Sequence, residues 1–386
     1  MTHGSTRIVL AKPSRPEQVS AVPAPPGTQA GTAKTCSGLR ALVALTLTVT
    51  LLLLPIGLPL QAQEKPKPTA EQPGGVFSIR GPKVDFTEAP ELDSPAVAGL
   101  SARIGWGELE PKQGQYDWRL LERARDLAKA KKKWLMIRVT AGMLSPDWVY
   151  ELKGVRSVTF TKEDVRWLTD KARMPVPWDE AHLQAWETFQ KALGRKIADW
   201  PEVYCVQMTG GGFIGEMHLP KTNQATLQQW KEAGASEEKV NAMWQRLIAA
   251  YDKNMPAQVG ISLNLAPTLP GYKSQTVVRE WALSKHPGRV WFQQNGLTGG
   301  PVAGLYSKIL RAASATTTVG YQMGGTGKSG RIDWPKAFQR AIEDKCSYLE
   351  VFSVDVLDPK RKDDLAFLAE GLKENHQSKV KETKGK

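Results

Sequence analysis

From Val76 onward, short β-branched or aromatic runs alternate with longer amphipathic ones, eight of each, and this alternation restricts the fold more than any other feature. The spacing predicts strands at Val76–Ile79, Leu100–Gly105, Trp134–Val139, Val203–Met208, Gln258–Leu263, Arg289–Gln293, Thr317–Tyr321 and Tyr348–Phe352. Between them, apolar residues recur at helical spacing. In Trp118–Lys132, for example, Leu120, Leu121, Ala124, Leu127 and Ala128 share one face. Helices are also predicted at Asp179–Asp199, Glu237–Lys253, Thr276–Ser284, Ala303–Ala313, Trp334–Asp344 and Arg361–Lys373, with a short one within Pro90–Ala98. Mostly apolar strands joined through helices, without hairpin signals, describe an α/β protein of the (β/α)8 TIM-barrel type. A doubly wound sheet is the rival. It calls for a glycine-rich turn after the first strand, where this chain has Arg80-Gly81-Pro82-Lys83.

The barrel, residues 76–375, follows a different kind of sequence. Residues 1–40 are rich in Ser, Pro, Ala, Gly and Thr and carry five basic side chains against one acid, Glu17. Ala41–Leu60 is apolar and uncharged, and Leu60-Gln61-Ala62 offers a small residue for cleavage. Residues 1–62 therefore read as a secretory signal behind a long basic leader, or as an uncleaved membrane anchor. Residues 63–75 read as a Pro-rich linker and residues 376–386 as a basic, disordered tail. A secreted or periplasmic protein is expected, touching membrane only through an anchor.

The net charge of +13 points at first to nucleic acid. It divides, however, into the leader, the tail and helix ends such as Lys131–Lys133, and no basic run interleaves with aromatic residues. No nucleic-acid partner is expected. Three cysteines and five histidines, with no metal-ligand spacing among His182, His218 and His286, predict neither metal nor cofactor. Gly324-Gly-Thr-Gly327-Lys328-Ser329 imitates a phosphate loop, but its helix would begin several residues too late, after Gly330. Cys205 and Cys346 fall on strands four and eight, too far around a barrel for a disulfide.

Two long connections, Thr140–Trp178 and Thr209–Ser236, follow strands and so lie at the C-terminal face of the barrel, where sites are built. The second contains Gly210-Gly-Gly-Phe-Ile-Gly215-Glu216-Met-His218, a tight turn that delivers one carboxylate, Glu216, to that face. The second unit reads Trp106-Gly-Glu108-Leu-Glu110-Pro111-Lys-Gln-Gly114-Gln-Tyr116-Asp-Trp118. It resembles the second unit of retaining barrel glycosidases, the large clan A that includes β-galactosidases and many β-glycanases, through Trp106, Glu110, Pro111, Gly114, Tyr116 and Trp118. The residue reading at this point is a turn closed by Pro111 and Gly114 with Trp118 packing a helix start. The resemblance covers the architecture of 76–375 but only two short stretches in motif, and it extends to bacterial barrels of β-galactosidase type.

That resemblance implies a glycosidase whose acid/base glutamate follows the fourth strand, the place of Glu216. Gly215 precedes it where the clan commonly has Asn. The clan's second carboxylate ends the seventh strand, and this chain has Gln322 there. An amide is neither nucleophile nor base. Glu350 on the eighth strand alternates with Tyr348 and Phe352 and is the substitute chosen here, with Glu108, Glu110 and Asp355 in reserve. A buried ion pair to Arg80, Arg103 or Arg138 is the other reading of Glu350.

The expected reaction is glycosidic hydrolysis with Glu216 as acid and Glu350 as base or nucleophile. The rival is a lapsed barrel that binds glycan without cleaving it. Arg103, Trp106, Glu108, Arg138, Trp148, His218, Asn264, Gln294, Asn295, Tyr321, Gln322 and Asp355 are the expected sugar-binding residues, Trp106, Trp148 and Tyr321 (with Trp167 and Trp178) as stacking faces.

Overall fold

The computed structural model describes residues 74–384, apart from 82–83, 167 and 301–303. The leader, the apolar segment and most of the linker lie outside the described residues. The described residues form ten strands: β1 (Gly75–Arg80), β2 (Val97–Gly105), β3 (Trp134–Thr140), β4 (Ser157–Phe160), β5 (Ala172–Pro175), β6 (Val203–Met208), β7 (Gly260–Asn264), β8 (Val290–Leu297), β9 (Val319–Met323) and β10 (Tyr348–Phe352). Eight of them close a parallel barrel in the order β1-β10-β9-β8-β7-β6-β3-β2. The fold is the (β/α)8 barrel, and all eight predicted strands overlap a barrel strand.

Two expectations are corrected. The connection after β3 holds an antiparallel pair, β4 with β5, in which Val158 faces Met174. Val158, Phe160 and Met174 are buried, and Phe160 packs edge-on to Phe213, so this pair caps the loop that carries Glu216. Its strands are only four residues each, below the length at which alternation stands out in a sequence. The C-terminal tail is also not disordered from residue 376, because one helix runs from Lys362 to Lys384. Leu365, Leu368, Leu372 and Val380 bury one face of that helix, and Asn375 donates to the carbonyls of Ile342 and Cys346. The tail's basic composition concealed this apolar stripe. Among the described residues no helix is long and apolar enough to cross a membrane.

The barrel interior is divided along its axis. Toward the N-terminal ends of the strands Phe77, Tyr204, Trp291 and Tyr348 meet in a floor, with Phe77–Tyr204 and Tyr204–Trp291 centroids 4.8 and 5.0 Å apart. Four large rings fit because glycines face them. A Cβ at Gly260 would lie 2.4 Å from Trp291, and one at Gly320 would lie 2.3 Å from Tyr348. Above the floor the same strands turn polar, with Ser101, Arg103, Arg138, Gln207, Ser262, Asn264, Gln293, Asn295, Gln322 and Glu350. Among the described residues these rings fill the N-terminal end of the barrel interior.

Gly320→Ala tests this packing. The added methyl overfills the floor and is expected to lower stability by about 1–3 kcal/mol, read as a lower midpoint in urea melts. An unchanged midpoint would contradict the ring contact.

Candidate functional site

The polar end is organised around Glu350. Its side chain has no exposure and forms a 3.0 Å ion pair with Arg138 Nη2. Ser101 Oγ donates to Oε1 and Gln293 Nε2 to Oε2. Burial pushes the Glu350 carboxyl up, but the Arg138 and Arg103 guanidiniums, with the Ser101 hydroxyl, outweigh it and hold the group below the usual carboxylate range. Of the three arginines open to it, Arg138 is the partner. Arg80 instead grips Glu91 at 2.6 and 2.9 Å.

Above this pair lies a layer of amides and guanidiniums. Gln322 Oε1 accepts from Arg103 Nη2 and, at 3.2 Å, from Arg138 Nη1. Arg138 Nε donates to Gln207 Oε1, and Gln207 Nε2 donates to Gln293 Oε1 at 3.0 Å. Gln293 reaches Asn295 at 2.8 Å, and Asn295 Nδ2 donates to Glu216 Oε2 at 3.3 Å. The two expected catalytic carboxylates are thus joined by a relay, but two amide side chains fill the space between them.

Glu216 is partly exposed at the rim. Its loop is fixed by backbone bonds from Phe213 N to His218 O at 3.0 Å and from Met217 N to Asn264 O at 3.0 Å. Gly212 is required within it, since a Cβ there would sit 1.7 Å from the Glu216 carbonyl. Asn264 is buried and donates to Gly215 O at 3.2 Å, which makes it a strut under the loop, with its Oδ1 left without a partner. His218 stands beside Glu216. Its burial lowers its pKa, and the Glu216 charge offsets part of that.

Several expected contacts are corrected. Trp106 is fully buried, wedged between Trp186 at 4.9 Å and Trp148 at 5.5 Å, and its indole donates to Glu110 at 2.8 Å. It offers no face to a sugar. Trp148 is half-buried, turned edge-on to Trp106 and bonded to the Glu110 carbonyl at 3.0 Å. Glu110 also accepts from Gly114 N at 2.8 Å. The Trp-Glu-Pro-Gly-Tyr-Trp stretch therefore closes a turn, as the residue reading allowed. Glu108 is exposed and accepts from Gly105 N at 2.7 Å, a helix cap rather than a site carboxylate. Tyr321 is fully buried and bonds Asp344 at 2.9 Å on the helix side of β9, the opposite face from Gln322. Gln294 likewise points away from the interior that Gln293 and Asn295 share. Trp167 lies outside the described residues, and Trp178 is half-buried with its indole bonded to Ala233 O at 3.0 Å.

Asp355, on the turn after β10, is buried and accepts from Gly327 N at 2.8 Å. Burial raises its pKa. It ties down the glycine-rich loop after β9, whose following helix starts only at Trp334, so no phosphate-loop geometry arises. The sequence reading did not single out Ser101 and Gln207, which belong to the buried network. Their signal was a polar residue at the inward phase of an apolar strand. Among the described residues no three His, Cys, Asp or Glu side chains gather as metal ligands.

Solved structures share the architecture of this barrel. It is similar to the catalytic domain of β-amylase from Paenibacillus polymyxa, at 11% identity and TM-score 0.52, over 79% of this chain and 98% of that one. It is also similar to β-galactosidase from the psychrophilic Marinomonas ef1, at 8% identity and TM-score 0.50, over 79% of this chain and 60% of that one. No family model matches the sequence, and no curated protein matches it either. The likeness is one of barrel architecture.

Glu350→Gln is expected to cost about 3–5 kcal/mol, because it leaves Arg138 buried without its counter-charge. The pKa of Glu350 is lowered in the fold, so its stabilisation is full above the ordinary carboxylate range. It is lost as pH falls through and below that range. Thermal melts at falling pH should show a shallower acid limb in the variant than in the parent chain. Equal limbs would contradict the pairing.

Proposed function

We propose that this barrel recognises carbohydrate at its C-terminal mouth without cleaving it through a carboxylate pair. The observation that carries this reading is Gln322. At the end of the seventh barrel strand, where the resemblance expects a nucleophile, stands an amide whose oxygen accepts from two guanidiniums. The substitute among the described residues, Glu350, lies buried beneath that amide, and its oxygens are occupied by Ser101, Gln293 and Arg138. Two-carboxylate hydrolysis needs both groups to flank a bond, about 5–10 Å apart with room for substrate or water between them. Here the intervening volume holds Asn295 and Gln293. What the mouth does offer is a ring of amide and guanidinium donors and acceptors from Arg103, Gln322, Gln293 and Asn295. Such a lining suits a ligand dense in hydroxyls.

Glycosidic hydrolysis is the second reading, favoured by one observation. Glu216 is a partly exposed carboxylate on a rigid loop after the fourth barrel strand, within reach of Asn295. It would serve as the acid, with water activated by a group other than Glu350. Either reading places the protein outside the cytoplasm if residues 41–62 act as a signal or anchor, and neither calls for nucleic acid or a cofactor.

A glycan array and a panel of aryl glycosides, applied to the full chain and to Glu216→Gln, separate the two readings. Retention of a glycan with no turnover by either protein is the expected outcome. Turnover that Glu216→Gln abolishes would restore the hydrolase.

A further inference from the structure

Resting on that reading of the mouth, we propose that its ligand is an anionic saccharide whose carboxylate or sulfate is received by Arg103. The mouth holds two guanidiniums, Arg103 and Arg138, one carboxylate beneath them, Glu350, and a second at the rim, Glu216, which bonds Asn295 rather than an arginine. Glu350 is taken by Arg138. No carboxylate lies within ion-pair distance of Arg103 among the described residues, and its strongest partner is the neutral oxygen of Gln322. Its Nε is buried and makes no hydrogen bond. Arg103 and Arg138 sit opposite each other in the β2–β3 register, so their charges repel. Burial and that repulsion push the Arg103 pKa down to about 10, and Glu350 and Glu216 offset only part of the effect.

A guanidinium in this state is an unusual feature of a packed barrel. Desolvated cations are ordinarily matched by a carboxylate or by a full set of acceptors, since an unmatched one is costly to bury. The side chain is also held in place, with its guanidinium 5.8 Å from the Phe352 ring and its Nη2 on Gln322. It is partly exposed to the mouth, unlike Arg138. A planar guanidinium fixed at one end and partly exposed to the mouth suits the two oxygens of a carboxylate or the edge of a sulfate. Gln322 is what creates the vacancy. A glutamate at that position would supply the missing negative charge from within the protein, whereas the amide leaves it to the ligand.

A uronate and a sulfated sugar share this chemistry, and the test separates them. The full chain is titrated against matched oligosaccharides that differ only at carbon 6 of each unit (neutral hydroxymethyl, uronate carboxylate or sulfate ester), across several linkages. The expected result is at least tenfold tighter binding of one anionic form than of its neutral match, about the worth of one charge-assisted fork, weakening with added salt. Whichever form is preferred identifies the anion. Arg103→Lys keeps a cation but loses the fork, and Gln322→Glu fills the vacancy internally. Both are expected to remove the preference, so that anionic and neutral forms bind alike. Circular dichroism melts confirm that each variant is folded, and the comparison of ligands on the unmodified chain stands without them. Equal binding of neutral and anionic forms would overturn this inference and leave carbohydrate recognition intact. Binding of neither would overturn both.

Discussion

The ion pair between Arg138 and Glu350 is the constraint on which the rest of the mouth depends. A carboxylate with no exposure inside a barrel is tolerated only if its charge and its acceptor directions are satisfied. Three neighbouring groups do this, and each fixes something further. Ser101 ties the pair to β2. Gln293 carries the network to Asn295 and so to Glu216. Arg138 itself extends to Gln207 and Gln322. From this one buried charge the orientation of nearly every inward polar side chain follows. In the reading proposed here, a carboxylate without exposure and with its acceptor directions occupied serves as a structural charge rather than as a nucleophile.

The aromatic floor and the polar mouth are two consequences of the same period-2 alternation. Inward positions near the strand starts carry Phe77, Trp291 and Tyr348, and those near the strand ends carry Arg103, Gln293 and Gln322. Glycines opposite the rings make room for them and leave no channel below. The loops after β3 and β6 then wall one side of the open end. The β4–β5 pair packs through Phe160 against Phe213 and steadies the turn that presents Glu216. The mouth is therefore framed by packed strands and loops.

Much of this was legible in the sequence, for identifiable reasons. Strand and helix periods, read over eight repeats, reinforce one another, so the barrel was clear. The inward phase of Glu350 followed from its neighbours Tyr348 and Phe352, and its ion pair was one of two readings available. Phase also explains the errors. Tyr321 and Gln294 lie one residue from inward positions, and a one-residue displacement sends a strand side chain to the opposite face. Trp106 was misjudged because a tryptophan at a strand end serves packing and ligand stacking equally well on paper. Only its contacts with Trp186 and Glu110 decide between them. Three-dimensional bonding partners such as Gln207, distant from Arg138 by 69 positions, leave no local trace.

The central claim is that Arg138 and Glu350 act as one buried unit, and a double-mutant cycle with Arg138→Met, Glu350→Gln and both together in urea melts of the full chain measures it directly. The account expects each single change to be strongly destabilising and the double change to cost less than their sum, with a coupling of about 1–3 kcal/mol. Costs that add within about 0.5 kcal/mol would contradict it, and would return Glu350 to the list of carboxylates free to act on a ligand.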